Sequence, residues 1–185
     1  MLRKHTYFII TVSGIFVLVV VFSLIQLIQK NHYKTITDND VKILYGWSIE
    51  PRDNKSKSDY IFSFHKRDSL DYNVKPVNFY SVADMSEIKL PFGISYDNFM
   101  EVLELENSDQ VKEHLNLVHE IFKTTGALRI VSDMDNMNVI YFTYGRRIQT
   151  LMIYIPVNLP NETAHLITKR YREINNNWYY RMRLR

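Results

Sequence analysis

The chain contains no cysteine. This excludes a disulfide scaffold, a thiol nucleophile, a lipid-bearing cysteine and every cysteine-ligated zinc or iron–sulfur site. Glycine and proline are sparse, five of each in 185 residues. Gly14, Gly46, Gly93, Gly126 and Gly145 follow no collagen repeat, and none sits in a phosphate-cradling loop. No low-complexity run and no internal repeat is present. Charge of one sign does not dominate: 23 lysines and arginines face 20 aspartates and glutamates, a net +3. What is abundant is apolar and aromatic: 46% hydrophobic residues and 14% aromatics, thirteen of them tyrosine. That is enough to build a core and excludes a disordered chain. The length allows one domain of ordinary size, or two at most.

Tyr7 to Ile28 carries no Lys, Arg, Asp or Glu and is dominated by Phe, Ile, Val and Leu. As a helix it would span roughly 33 Å, close to the hydrocarbon thickness of a bilayer. A buried helix of this length would keep a polar stripe. A cleaved signal peptide would have a shorter apolar region ending at small residues. Here the run ends on Gln26, Gln29, Lys30 and Asn31. The reading is an uncleaved signal anchor at 7–28, with a cytoplasmic tail at 1–6 and the N-terminus inside. Arg3, Lys4 and the amino terminus against Lys30 and Lys34 lean that way. Residues 29–40 then form a polar spacer, and 41–185 an extracellular domain.

Val41–Glu50, Asp59–His65 and Val77–Val82 are β-prone, with a charged turn at Pro51–Ser58. Helical spacing follows. Ser95 is placed to cap a helix to Leu105, and Asn107 or Ser108 to cap a second. That second helix sets Val111, Leu115, Val118 and Phe122 in one stripe, and Gly126 ends it. Leu128–Val131, Val139–Tyr144 and Arg147–Ile155 read as strands. Leu166–Ile174 and Trp178–Leu184 read as a closing hairpin over Asn175-Asn176-Asn177, although Glu162–Ile174 also fits a helix. In the last strand Trp178, Tyr180, Met182 and Leu184 share one face. Tyr179, Arg181, Arg183 and Arg185 share the other, so one side is expected buried and one solvated. The expected fold class is α+β: one N-terminal transmembrane helix, then a single domain with a mainly antiparallel β-sheet and a helical insertion.

Charge is unevenly placed along the chain. Asp84 to Asp135 holds eleven carboxylates against four cations, a balance of −7, and Arg146 to Arg185 holds eight cations against two carboxylates, a balance of +6. Either the two regions compensate each other, or one meets an oppositely charged partner. Nucleic acid is a poor partner, because the chain beyond the membrane segment carries 21 cations against 20 carboxylates. Anionic lipid or wall polymer near the basic hairpin stays open.

Catalytic and metal signatures fail on spacing. His119-Glu120 starts like a zincin motif, but Ile121, Phe122 and Lys123 follow and the second histidine is missing. His114 and His119 are five apart, which does not set both on one helix face for a shared metal; they read as ordinary helix-surface histidines. Asp133-x-Asp135 begins like a calcium loop, but Met137 fills the next ligand slot and Tyr144 the twelfth. No G-x-S-x-G elbow, Walker loop or S-x-x-K is present. Asn161-Glu162-Thr163 matches a glycosylation acceptor only in a eukaryotic secretory setting. The expectation is no catalytic residue, cofactor, metal or small-molecule substrate.

Tyr, Trp and Arg are the residue types that dominate binding hot spots. They gather in the closing hairpin as Trp178, Tyr179, Tyr180, Arg181 and Arg183, with Tyr171 beside them. These six are the candidate partner-binding residues, and the acidic helical stretch is the other candidate.

A single N-terminal anchor thus precedes a cysteine-free domain. Its strands surround ISYDNFMEVLELENSDQVKEHLNLVHEIF, and the chain ends in KRYREINNNWYYRMRLR. In this layout the chain resembles the TipC family of membrane-anchored immunity proteins of Gram-positive bacteria. The resemblance implies an outward-facing protein that neutralises a toxin delivered by type VII secretion and acting on lipid-linked cell-wall precursor. It implies binding and occlusion, with a protein toxin as partner. The alternative is a non-catalytic accessory subunit of a membrane secretion or cell-wall assembly.

Overall fold

In the computed structural model the described residues are 16–17, 20, 23, 36–52, 59–65, 77–82, 86–133, 139–145, 148–175 and 177–184. The expected membrane segment at 7–28 lies outside them, except that Phe16, Val17, Val20 and Ser23 are helical. Among the described residues no helix is long and apolar enough to cross a membrane.

Nine strands form one sheet: β1 Trp47–Pro51, β2 Tyr60–Phe64, β3 Val77–Val82, β4 Glu87–Lys89, β5 Arg129–Asp133, β6 Val139–Tyr144, β7 Ile148–Tyr154, β8 Arg172–Asn175 and β9 Trp178–Leu184. Their spatial order is β4-β3-β2-β1-β5-β6-β7-β9-β8, and every pairing is antiparallel. Two meanders, β1–β4 and β5–β7, therefore run outward from the β1–β5 junction, and the β8–β9 hairpin is added beyond β7. Among the residues described from 36 onward, four helices accompany them: α1 Asp38–Ile43, α2 Tyr96–Leu103, α3 Ser108–Thr125 and α4 Asn161–Thr168. The α+β expectation holds at this level, as an antiparallel sheet with helices.

Connectivity explains which helix covers which face. The chain leaves β4 at one edge and must return to the centre to begin β5. The α2–α3 pair makes that return across one face, called here the inner face. Their apolar stripes (Phe99 on α2; Val111, Leu115, Val118 and Phe122 on α3) are buried there. Opposite them lie Trp47, Ile49, Phe62, Phe79, Ile130, Phe142 and Met152, all fully buried in one cluster. Aromatic packing is dense: Phe62 stacks on Phe79 at 4.4 Å between centroids and meets Phe122 edge-on at 5.4 Å.

The second return, from β7 to the far edge strand β8, uses α4 and crosses the other, outer face. There Val139, Ile153, Ile155 and Leu159 form a smaller cluster, with Tyr141, Ala164, Ile167, Tyr171 and Tyr179 packed on it. Pro160 is the N-cap of α4, with φ −55° and an extended ψ of 136°. The hairpin expected over Leu166–Ile174 is thus shorter than its sequence suggested. A helix takes the first part and only Arg172–Asn175 pairs with β9. Asn175 Oδ1 accepts from the backbone N–H of Asn177 and Trp178, which fixes the turn.

Two further expectations are corrected, and one strand was not foreseen. Val41–Glu50 is not one strand, because α1 occupies its start. Thr37 and Asp40 form a reciprocal capping box: Thr37 N–H donates to Asp40 Oδ2 at 2.8 Å and Asp40 N–H to Thr37 Oγ1 at 3.2 Å. Ile36 and Val41, the residues flanking that box, are both buried in the main cluster, as in a hydrophobic staple. For the same reason the spacer does not extend to residue 40; the packed body includes Ile36. Strand β4 had no signal of its own and forms only by pairing with β3.

The caps at Ser95, Asn107 and Gly126 sit where the sequence placed them. Gly46 is required at its position. Its φ is +81°, and a Cβ there would lie 2.7 Å from the Phe64 ring and 3.0 Å from the His65 carbonyl oxygen.

Candidate functional site

The six candidate residues of the closing segment do not form one patch. Strand alternation sends Trp178 and Tyr180 to the inner face. Trp178 is buried against Phe142 and Tyr154, at 5.4 and 5.2 Å between centroids. Tyr180 is half-buried against the same cluster. These two rings hold the sheet's C-terminal half together.

Tyr179, Arg181 and Arg183 point to the outer face, where Tyr171 joins them. This face was expected to be solvated. It is instead partly roofed by α4 and the segment after it, so Tyr179, Tyr171 and Arg181 are half-buried and only Arg183 is exposed. The Arg181 guanidinium lies 5.1 Å from the centre of the Tyr171 ring, a cation–π contact that holds both side chains. Its Nε is buried and without a hydrogen-bond partner among the described residues. Burial, with Glu173 nearby, raises the pKa of Tyr179. Burial, then Asp133 and Tyr171, pushes that of Tyr141 up to about 12.

The histidines of α3 are also corrected: they are not surface residues. His119 is buried, with Nε2 2.9 Å from Ser81 Oγ on β3 and its ring edge-on to Phe62. His114 is half-buried and accepts from Trp47 Nε1–H at 3.4 Å. Burial lowers both pKa values; for His119 Lys123 adds to this and Glu120 opposes it. Ser81 and His119 are both closed to solvent, so the pair joins helix to strand. Among the described residues no three His, Asp or Glu side chains are grouped to hold a metal ion.

The exposed surface divides by charge. The α2–α3 layer on the inner face presents Asp97, Glu101, Glu104, Glu106, Asp109, Glu113 and Glu120 to solvent, against Lys112 and Lys123. Its ion pairs are local: Lys112 with Asp109 at 2.9 Å, and Lys123 with Glu120 at 2.8 Å. Such exposed pairs add little to stability. Two large apolar side chains are exposed on or beside this helical layer. Leu117 stands on α3, and Phe92 is fully exposed at the tip of the turn that leads into α2. Ile94 N–H donates to Pro91 C=O across that turn, and Gly93 takes φ +81°, so Phe92 is held outward by a type II geometry.

The α4 side carries the opposite sign. Lys169, Arg170 and Arg183 are exposed and Arg181 half-exposed, against the exposed Glu162 and Glu173 and the half-buried Asp133. Val157 and Leu166 protrude there. Sequence reasoning missed Phe92, Val157 and Leu166. A Pro-Phe-Gly turn signal could have found the first. The other two depend on how α4 docks.

A cleft of about 140 Å³ between α1 and α3 is lined by Ile36, Asp40, Glu120, Ile121, Thr124 and Thr125. Its two carboxylates are committed, Asp40 to the cap of α1 and Glu120 to Lys123.

Comparison with protein families, with curated proteins and with solved structures finds no match to this chain.

Proposed function

We propose that the chain is a membrane-anchored, outward-facing immunity protein that binds and blocks a secreted antibacterial toxin acting on cell-wall precursor. The proposal takes 7–28 as the anchor and the sheet domain as the extracellular body. It rests on the layout resemblance and on one observation that carries the choice of surface. The α2–α3 face is rigidly packed from beneath and presents seven exposed carboxylates and Leu117, and the turn that leads into α2 carries the fully exposed Phe92. An inhibitor of this kind needs a fixed, complementary surface and no chemistry of its own. Charge of one sign steers the encounter, and a protruding aromatic supplies an anchor.

This moves the expected contact region. Of the closing-hairpin residues, Trp178 and Tyr180 are spent on packing, and Tyr171, Tyr179 and Arg181 are partly covered. Arg183 remains available, but the acidic helical face is broader and more exposed.

The test is protection. Cells exposed to the toxin secreted by a neighbouring strain are given the full chain, the Phe92→Asp chain, or a chain with Glu101 and Glu113 both changed to Lys. The full chain is expected to restore survival, and each variant to lose at least tenfold of it with unchanged amounts in the membrane fraction. Survival that is the same with the domain deleted would end the proposal.

A further inference from the structure

The α4 side of the molecule combines two features that belong together at a lipid surface. On α4 the residues Ala164, Ile167 and Thr168 turn toward the sheet, as Tyr171 does after it. Residues three and four apart share a helix side. Leu166 therefore lies on the opposite side, and the exposed Lys169 and Arg170 follow directly after the helix. Leu166 is 72% exposed, and Val157, in the turn before α4, is 85% exposed. Arg181 and Arg183 extend the positive charge along β9 on the same face of the sheet; the acidic groups on that face are Glu162, Glu173 and the half-buried Asp133, with Glu50 paired to Arg129.

We propose that this α4 surface docks on anionic lipid headgroups, with Leu166 and Val157 entering the interface and Lys169, Arg170 and Arg183 meeting lipid phosphates. A short amphipathic face with apolar tips flanked by Lys and Arg is the pattern that binds anionic membrane surfaces. The sign of the charge selects the lipid: a neutral bilayer offers these cations no counter-charge. A protein partner is less well matched, because two apolar side chains among cations give only a small area from which to exclude water. Docking this way turns the acidic α2–α3 face away from the lipid, on the far side of the sheet. The inference does not require the toxin reading.

The absence of cysteine makes the test clean. Leu166→Cys and Phe92→Cys, each in the full chain, carry a single environment-sensitive fluorophore on the α4 side or the helical side. Each labelled protein is first shown to keep the circular dichroism spectrum of the unchanged chain. It is then mixed with vesicles of phosphatidylcholine alone, or of phosphatidylcholine and phosphatidylglycerol in equal parts. The label at 166 is expected to shift to the blue and brighten only with the anionic vesicles. High salt should reverse the change. Changing Lys169 and Arg170 to Glu together should weaken it roughly tenfold or more in lipid titration; the double Gln variant serves if the Glu pair perturbs the fold. The label at 92 should not respond. A shift at 166 that is equal in neutral vesicles, absent in both, insensitive to the charge changes, or matched at 92 overturns the proposal. Because the readout is local, insertion of the N-terminal segment cannot mimic it.

Discussion

The two faces of the sheet are built from the same strands and behave differently. The inner face is sealed by two helices over a single aromatic cluster. Among the described residues the outer face is roofed at one end, by an eight-residue helix over four buried aliphatics. The helical layer that seals the inner face is negative on its solvent side, and the helix that roofs the outer face is flanked by cations. Between them the sheet acts as a partition. The contrast teaches that folding energy and functional charge are laid out by the same connections: each long return to a distant strand supplies both a cover and the surface outside it.

The largest break in that comparison is Phe62→Ala. Phe62 is fully buried between Phe79 and Phe122. Its truncation should cost about 3–5 kcal/mol and unfold the whole body, measured by urea denaturation. On the outer face, Ile153→Ala should cost about 2–4 kcal/mol. It should also release α4 locally, so hydrogen exchange rises at 161–168 before it rises in α3. Equal exchange in the two helices would mean the faces are one cooperative unit. Gly46→Ala is expected to cost about 1–3 kcal/mol, since the new Cβ meets Phe64 in a left-handed backbone.

Acid should act on the inner face. His114 and His119 have folded pKa values lowered by burial. The unfolded chain then binds more protons than the folded one between the free value of about 6.5 and the lower folded values. Stability is complete above that free value and declines as pH falls through the folded ones. Thermal melts should show the decline, and His119→Gln should flatten it, at some cost to stability at neutral pH. A decline of the same slope in that variant would assign the effect elsewhere. The smallest expected effect is Thr37→Ala. It removes half of the α1 capping box and should cost about 1 kcal/mol in the same melts.

Much of the fold was legible. The strands with strict alternation, the stripe of α3 and the caps at Ser95, Asn107 and Gly126 depend on spacing and local backbone preference, which are written in short windows. Where two local signals competed, reading failed. Ile43, Leu44 and Tyr45 favour a strand, yet Thr37-x-x-Asp40 starts a helix just before them, and burial of Ile36 and Val41 settles it. In the same way Pro160 and the docking of Ala164 and Ile167 settle α4. Strand β4 has no strong propensity and exists because β3 offers an edge. The candidate site was legible in residue type but not in grouping. Trp178 to Arg183 are neighbours in sequence, and alternation puts half of them on each side of the sheet. His114 and His119 looked like surface residues because their partners, Trp47 and Ser81, lie 67 and 38 positions away.

By itself the amino-acid order established the apolar front segment, the antiparallel strand-and-helix make-up and the separation of acidic from basic stretches. These follow from composition and from periods of two and 3.6 residues, which need no knowledge of distant contacts. Only the tertiary structure decided that the acidic and basic stretches cover opposite faces of one sheet. The physical reason is the strand order: α2–α3 and α4 return across different faces, and no local pattern encodes which face a returning helix will cross.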